Sequence, residues 1–273
     1  MQRKFILTIL SLATLQLLDA CNGPSELSAT SQEPATPVIN WSVVKTFPHD
    51  TALYTEGLLF HNGKLFESTG SPDELPQTKS MIGISDLMSG KFEPKITINR
   101  DKYFGEGIVF FNGKLYQLTY TTQVCFRYDE KNFKLIDSFH YRNAQGWSLT
   151  SNGKELIMND ATDTLSFLNP ENLKTVRTIK ITENGSPLYE TNEMEFINGF
   201  IYANIYQTNF IVKIDPSSGK VVGKLDLSTL VQEAKSRYPN AEVLNGIAFD
   251  SANNKIYVTG KFWPNIYEIF FPH

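Results

Sequence analysis

Cysteine is nearly absent: only Cys21 and Cys125 carry thiols in 273 residues, too few for a disulfide framework in any compartment. Histidine is almost as scarce, at positions 49, 61, 140 and 273, and the four lack the spacing of a zinc site. No block of lysine and arginine occurs, and the net charge is −4. A nucleic-acid partner is therefore excluded, because binding a polyanion needs a basic face. Helical periodicity is confined to one stretch, Ser228 to Tyr238, where Ser228 is placed to cap and Leu230, Val231 and Ala234 share a face. What remains is 41 % hydrophobic and 12 % aromatic, enough to bury one substantial core or two small ones.

What is abundant is the β-hairpin. Tyr103 to Tyr120 reads YFGEGIVFFNGKLYQLTY, two β-prone runs joined by Asn112-Gly113. Asn-Gly at such a place signals a type I′ turn, which needs positive φ at both central residues. The pattern recurs as EGLLFHNGKLFESTG from Glu56, QGWSLTSNGKELIMND from Gln145, NEMEFINGFIYANIY from Asn192 and NGIAFDSANNKIYVTGK from Asn245. Copies spaced by roughly forty to fifty residues mean a propeller or a solenoid. A second hairpin follows each of the first four copies, over 81–98, 124–141, 164–181 and 210–227. Two hairpins make the four strands of one propeller blade. The fifth copy ends one strand short, and Trp41 to Phe47 (WSVVKTF) is a spare strand at the other end. Its pairing into the last blade would remove two open sheet edges. The expected fold is all-β, a five-bladed β-propeller spanning residues 41–273 and closed by its N-terminal strand.

Residues 1–20 stand outside that fold. Arg3 and Lys4, the apolar run Phe5 to Leu18 and the small residue Ala20 make a secretory signal. Leu18-Asp19-Ala20-Cys21 resembles a bacterial lipoprotein cleavage box, which makes Cys21 the lipidated residue, although Asp19 departs from the usual small or apolar residue. Residues 21–40 read as the lipidated cysteine and a Ser/Thr/Pro/Glu-rich flexible tether. The expectation is an exported, membrane-anchored monomer on the periplasmic or cell-surface side. Cys125, within VCFRYD, reads as a buried strand residue.

Radial repetition puts equivalent positions at one height around the axis. Aligned on the turn glycines, the inner strands begin at Glu56, Glu106, Gln145, Asn192 and Asn245, all acids or amides. The column ending the next strand holds Gly70, Tyr120, a residue near Asp160, Tyr206 and Lys261. Both columns face one mouth, where acids and amides beside an aromatic wall make a pocket for a small polar ligand. Trp263-Pro264 is expected beneath it.

The strings FGEGI, LYQLTY, QGWSL, NEMEFI, LNGIAFD and VTGKFWPNIYEI resemble the plant-type and bacterial glutaminyl cyclases, or glutamine cyclotransferases, across residues 41–271. That resemblance implies a five-bladed propeller that converts N-terminal glutamine of peptides or proteins to pyroglutamate and ammonia, without a cofactor or a catalytic metal. It implies Glu106 as acid/base, Asn192 and Lys261 as groups that bind substrate and stabilise charge, and Tyr54, Phe104 and Trp147 as pocket aromatics. Tyr120 and Tyr206 stand where the family usually has tryptophan. Glu56 replaces a common glutamine, Gln145 a common glutamate and Ser148 a glycine.

Two other readings start from the same residues. A non-catalytic propeller that binds peptides or surface ligands would keep the aromatic wall and have no need of Glu106 between glycines. A metal-dependent propeller hydrolase would gather Glu106, Asn192 and Asn245 on a calcium-type ion, where Lys261 would be misplaced.

Overall fold

The computed structural model describes residues 34–273; the expected signal segment and Cys21 lie outside the described residues. Strand β1 (Ser42–Pro48) precedes four successive four-stranded sheets. Blade 1 comprises β2 (Thr55–His61), β3 (Lys64–Thr69), β4 (Met81–Ser85) and β5 (Phe92–Thr97). Blade 2 comprises β6 (Gly105–Phe111), β7 (Lys114–Thr119), β8 (Val124–Asp129) and β9 (Leu135–His140). Blade 3 comprises β10 (Leu149–Ser151), β11 (Leu156–Met158), β12 (Thr164–Leu168) and β13 (Thr175–Lys180). A small hairpin, β14 (Thr182–Glu183) with β15 (Ser186–Pro187), which the repeat pattern does not announce, leads into blade 4. That blade comprises β16 (Thr191–Ile197), β17 (Phe200–Ile205), β18 (Phe210–Ile214) and β19 (Val221–Asp226). After helix α1 (Ser228–Arg237) come β20 (Leu244–Asp250), β21 (Lys255–Gly260) and β22 (Asn265–Phe270). The fifth blade has the order β1-β22-β21-β20. The N-terminal strand thus supplies its outermost strand, pairing antiparallel from Ser42↔Phe270 to Pro48↔Asn265.

The Asn-Gly turns adopt the conformation their chemistry favours. Asn62, Asn112 and Asn198 have φ of 48°, 49° and 47°, and the glycines that follow have 76°, 72° and 89°. The core lies between blades, where clusters such as Tyr116, Leu118, Cys125 and Leu156 interdigitate. Trp263 is fully buried, and its indole donates to the Glu242 carbonyl at 3.0 Å. Cys125 is buried, and its thiol is raised to about 12 by burial. Helix α1 buries Leu230, Val231 and Ala234 as its pattern requires. Ser228 does not cap it: Ser228 is the first helical residue, and its N–H is received by Asp226 Oδ1 at 2.9 Å. The residues just before β1 are fastened rather than free. Ile39 N–H reaches the Lys224 carbonyl and Lys224 N–H the Pro37 carbonyl, at 2.8 and 2.9 Å, so 37–39 run along the outer edge of blade 4.

One buried ion pair sits where the ring closes. Just after β1, His49 donates from Nδ1 to the Trp263 carbonyl at 2.8 Å and from Nε2 to Glu67 at 3.1 Å. Glu67 also accepts from Thr55 and Ser85, at 2.7 and 2.6 Å. Burial opposes both charges, but the pairing wins: the Glu67 carboxyl is held low by His49 and the hydroxyls, and the His49 imidazole is held high by Glu67. Its stabilisation from Glu67 is present above the ordinary glutamate value and is lost as pH falls through the depressed one. The share from His49 is complete below about pH 6.5 and is lost as pH rises through the raised value. His49→Leu should strand the carboxylate and cost about 3–5 kcal/mol. Urea unfolding checks this, with the largest wild-type advantage between those two limits.

Candidate active site

Each inner strand except β10 opens with a register shift against its neighbour: between Thr55 and Gly57, Gly105 and Ile108, Thr191 and Met194, and Leu244 and Ile247. A bulge at a strand end re-aims one side chain. Here it is Glu56, Glu106, Asn192 and Asn245, all buried at one end of the axis. The fifth member of the column is not Gln145. Leu149 pairs with Met158 as Leu58 pairs with Glu67, which sets Trp147 level with Glu56 and Glu106. The cause is the place of the turn glycine, not the length of the hairpin. The two pairs span equal lengths, but Gly153 comes four residues after Leu149, whereas Gly63 comes five after Leu58. Counting back from the turn glycine therefore misaligns blade 3. Gln145 instead accepts the Trp147 indole N–H at 2.8 Å and fixes that ring.

The structure brings together nine of the side chains expected at the mouth, whereas Gln145, Asn245 and Asp160 do not line the cavity. Tyr54, Glu56, Phe104, Glu106, Tyr120, Trp147, Asn192, Tyr206 and Lys261 line one cavity of about 520 Å³. The aromatic wall has two parts. Tyr54 meets Phe104 and Phe262 edge-on at 6.4 and 5.2 Å, Phe104 meets Tyr120 at 5.9 Å, and Trp147 meets Tyr206 at 5.4 Å. The outer part of the cavity is formed by 71–74 and 100–103, which the repeat pattern does not single out. Arg100 organises that rim through the carbonyls of Pro72, Leu75, Pro76 and Thr78.

The floor carries two carboxylates and one ammonium. Lys261 Nζ lies 2.5 Å from Glu56 Oε1 and 4.2 Å above the Tyr54 ring. Glu56 Oε2 accepts from Asn245 Nδ2 at 3.3 Å, and the same amide donates to the Thr55 carbonyl at 2.9 Å. Burial alone would lower Lys261, but Glu56, Tyr54 and Glu106 together hold it above the ordinary lysine value. Burial raises Glu56, with Lys261 pulling against it. Burial lifts Glu106 well above the carboxylate range, and the charge of Glu56 lifts it further, against a smaller opposing pull from Lys261. Of the two, Glu106 is thus the more disposed to hold a proton, and Glu56 the one tied to a cation. Asn192 is 3 % exposed, and its Oδ1 has no partner, which makes it an acceptor open to a ligand N–H. Among the described residues no three His, Cys, Asp or Glu side chains gather as a metal site would require. At the position the metal-hydrolase reading needs, Asn245 is turned to Glu56 beside an ammonium.

Fold and floor together define a propeller whose mouth binds a small polar ligand and can exchange protons with it. Residues 14–271 match the model of the glutamine cyclotransferase family. The chain is 35 % identical over 265 residues to the glutaminyl-peptide cyclotransferase of Arabidopsis thaliana, covering 96 % of this chain and 81 % of that protein. The crystal structure of Myxococcus xanthus glutaminyl cyclase matches with a TM-score of 0.77 at 32 % identity, covering 88 % of this chain and 98 % of that one. The chain belongs to the glutamine cyclotransferase family.

Gly70 makes the aromatic wall possible. A Cβ there would stand 2.3 Å from the Phe104 ring and 3.0 Å from Glu56 Cγ. Gly70→Ala should displace both side chains, cost about 1–3 kcal/mol by overpacking, and raise KM more than it lowers kcat. Steady-state kinetics and thermal melting of the variant check the expectation.

Proposed function

We propose that this protein is a glutaminyl-peptide cyclotransferase, converting the N-terminal glutamine of peptides or proteins to pyroglutamate with release of ammonia. The observation that carries the reading is the buried Glu106 set beside the Glu56–Lys261 pair in an aromatic pocket, where burial and Glu56 raise its proton affinity. The substrate's α-amine attacks its own side-chain carbonyl carbon. A C–N bond forms, and the amide nitrogen must leave with one added proton. Glu106, entering as the acid, gives its proton to that nitrogen, which departs as ammonia. It recovers one from the new ring nitrogen, so the enzyme returns unchanged. Burial and the neighbouring Glu56 raise its proton affinity toward that of the amine, and closer affinities keep each transfer inexpensive.

The carbonyl oxygen becomes negative as the ring closes and needs fixed donors. Lys261 has three N–H groups and directs one at Glu56; Asn192 adds its amide, whose unpartnered oxygen can also receive a substrate N–H. The aromatic wall bends the glutamine chain, bringing amine and carboxamide within reach. Where many relatives carry glutamine, Glu56 here meets Lys261, so its added charge is answered within the chain.

Incubation with glutaminyl peptides should release stoichiometric ammonia, which a non-catalytic binding propeller would not do. Glu106→Gln keeps shape and hydrogen-bonding atoms but cannot exchange the proton, and kcat should fall about 10²- to 10⁴-fold with little change in KM. Glu56→Gln should retain substantial turnover. Near-normal turnover in Glu106→Gln with collapse in Glu56→Gln would reverse the assignment of the acid.

The same proposal places the enzyme outside the cytoplasm, held to a membrane by lipid on Cys21; the support is the sequence of residues 1–21 alone. Cys21→Ser should move the protein from the membrane fraction to the soluble one at unchanged specific activity. An unmodified Cys21 in the mass spectrum of the native protein would end that part of the reading.

A further inference from the structure

The residue after Asn192 breaks the pattern of the inner strands. Blades 1, 2 and 5 have glycine there, Gly57, Gly107 and Gly246, and blade 3 has Ser148; blade 4 has Glu193. Small residues let the strands approach one another at the axis. A Cβ on Gly57 would lie 3.2 Å from Gly107 Cα, and one on Gly107 only 2.6 Å from Ser148 Cα. Into this crowded centre one long side chain is admitted. Glu193 is 3 % exposed. Its Oε2 accepts the Ile247 N–H at 2.7 Å and its Oε1 the Leu58 N–H at 3.3 Å.

Those two amides follow the floor of the pocket closely. Leu58 is two residues beyond Glu56, Ile247 is two beyond Asn245, and Glu193 itself adjoins Asn192. The next residue, Met194, donates its N–H to Ser148 Oγ at 2.9 Å, one residue beyond Trp147. Strand β16 therefore fixes three neighbouring strands at the height where each presents a side chain to the mouth. We propose that Glu193 is a positioning residue of the cyclisation, holding Asn192, Glu56 and Asn245 in register across three blades without touching the substrate. The proposal rests on the cyclotransferase reading above for its kinetic consequence, but not for the tie itself.

A purely structural role can be told apart, because β16 provides its own control. Glu195, two residues on and farther from the mouth, makes a similar tie, accepting the Phe249 N–H at 3.3 Å and the Thr150 hydroxyl at 3.2 Å. Glu193→Gln and Glu195→Gln should both lower Tm. Only the first should lower kcat, by as much as about 10²-fold, the effect of displacing reacting groups by an ångström, with KM within about twofold. Equal kcat per folded molecule in wild type and Glu193→Gln overturns the proposal. So does an equal loss in Glu195→Gln. Should Glu193→Gln not fold, Glu193→Asp keeps the carboxyl group but is too short to reach both amides, and the same kcat loss is expected of it. In the wild type, adding a pyroglutamyl peptide should shift the Leu58 and Ile247 amide resonances and leave Phe249 in place; the opposite result also overturns it. If the wild type releases no ammonia, the function fails instead, while amide exchange at Leu58 and Ile247, faster in Glu193→Gln than in wild type, still reports the tie.

Discussion

A propeller's central strands have no strand on their inner side, so their inward N–H groups face the axis without a sheet partner. A buried amide left unpaired is costly, and five strands converge where neither water nor another strand fits easily. Here side chains answer the demand. Glu193 receives Leu58 and Ile247, Asn204 receives Gly246, Glu195 receives Phe249, Ser148 receives Met194, and Thr150 receives Phe196. Blades that are separate sheets thereby become one rigid ring at the centre, where the pocket floor is built. The bulges that open the inner strands are tolerable for the same reason: the groups they release from the ladder have other partners.

That rigidity makes the electrostatics of the floor useful. Two buried carboxyls on neighbouring blades and one lysine cannot be treated alike by their surroundings. The lysine's contact with Glu56 leaves Glu106 with a burial penalty, a neighbouring negative charge and only a weaker pull from the ammonium. Two groups of identical chemistry are thus given different proton affinities by position alone, the general way in which one site can support acid and base chemistry. The unpartnered oxygen of Asn192 and the two spare donors of Lys261 complete a site whose remaining hydrogen-bonding capacity points at the ligand.

The fold was legible because its signals are local and repeated. Asn-Gly turns, strand alternation and the spare strand before His49 led to five blades and to their closure. Most of the site was legible because radial symmetry turns sequence columns into spatial rings. Reading failed where turn placement or tertiary context intervenes. The displaced turn glycine of blade 3, Gly153, hid Trp147 as the true counterpart of Glu106 and promoted Gln145 in its place. Ser228 has the composition of a cap but lies inside the helix, because Asp226 takes the first N–H. Glu193 was visible as a carboxylate where sister repeats have small residues, yet its significance lies in amides of two distant blades that no pattern in β16 announces. The rim formed by 71–74 and 100–103 belongs to connecting loops, which carry no repeat signal.

The pairing of β1 with β22 has a consequence for how the molecule is made. Ser42 and Phe270 face each other across one ladder, so the first strand to be synthesised must wait for the last. Blades 1 to 4 are each built from contiguous chain and can form hairpin by hairpin as they emerge. The fifth is assembled from both ends, and contacts of such sequence separation are slow to form because the intervening loop must first be closed. Until then the ring is open, and the His49–Glu67 pair lacks the Trp263 carbonyl that helps to hold it. The pocket floor cannot be complete before the ring closes, since Lys261 reaches Glu56 only when blade 5 docks against blade 1.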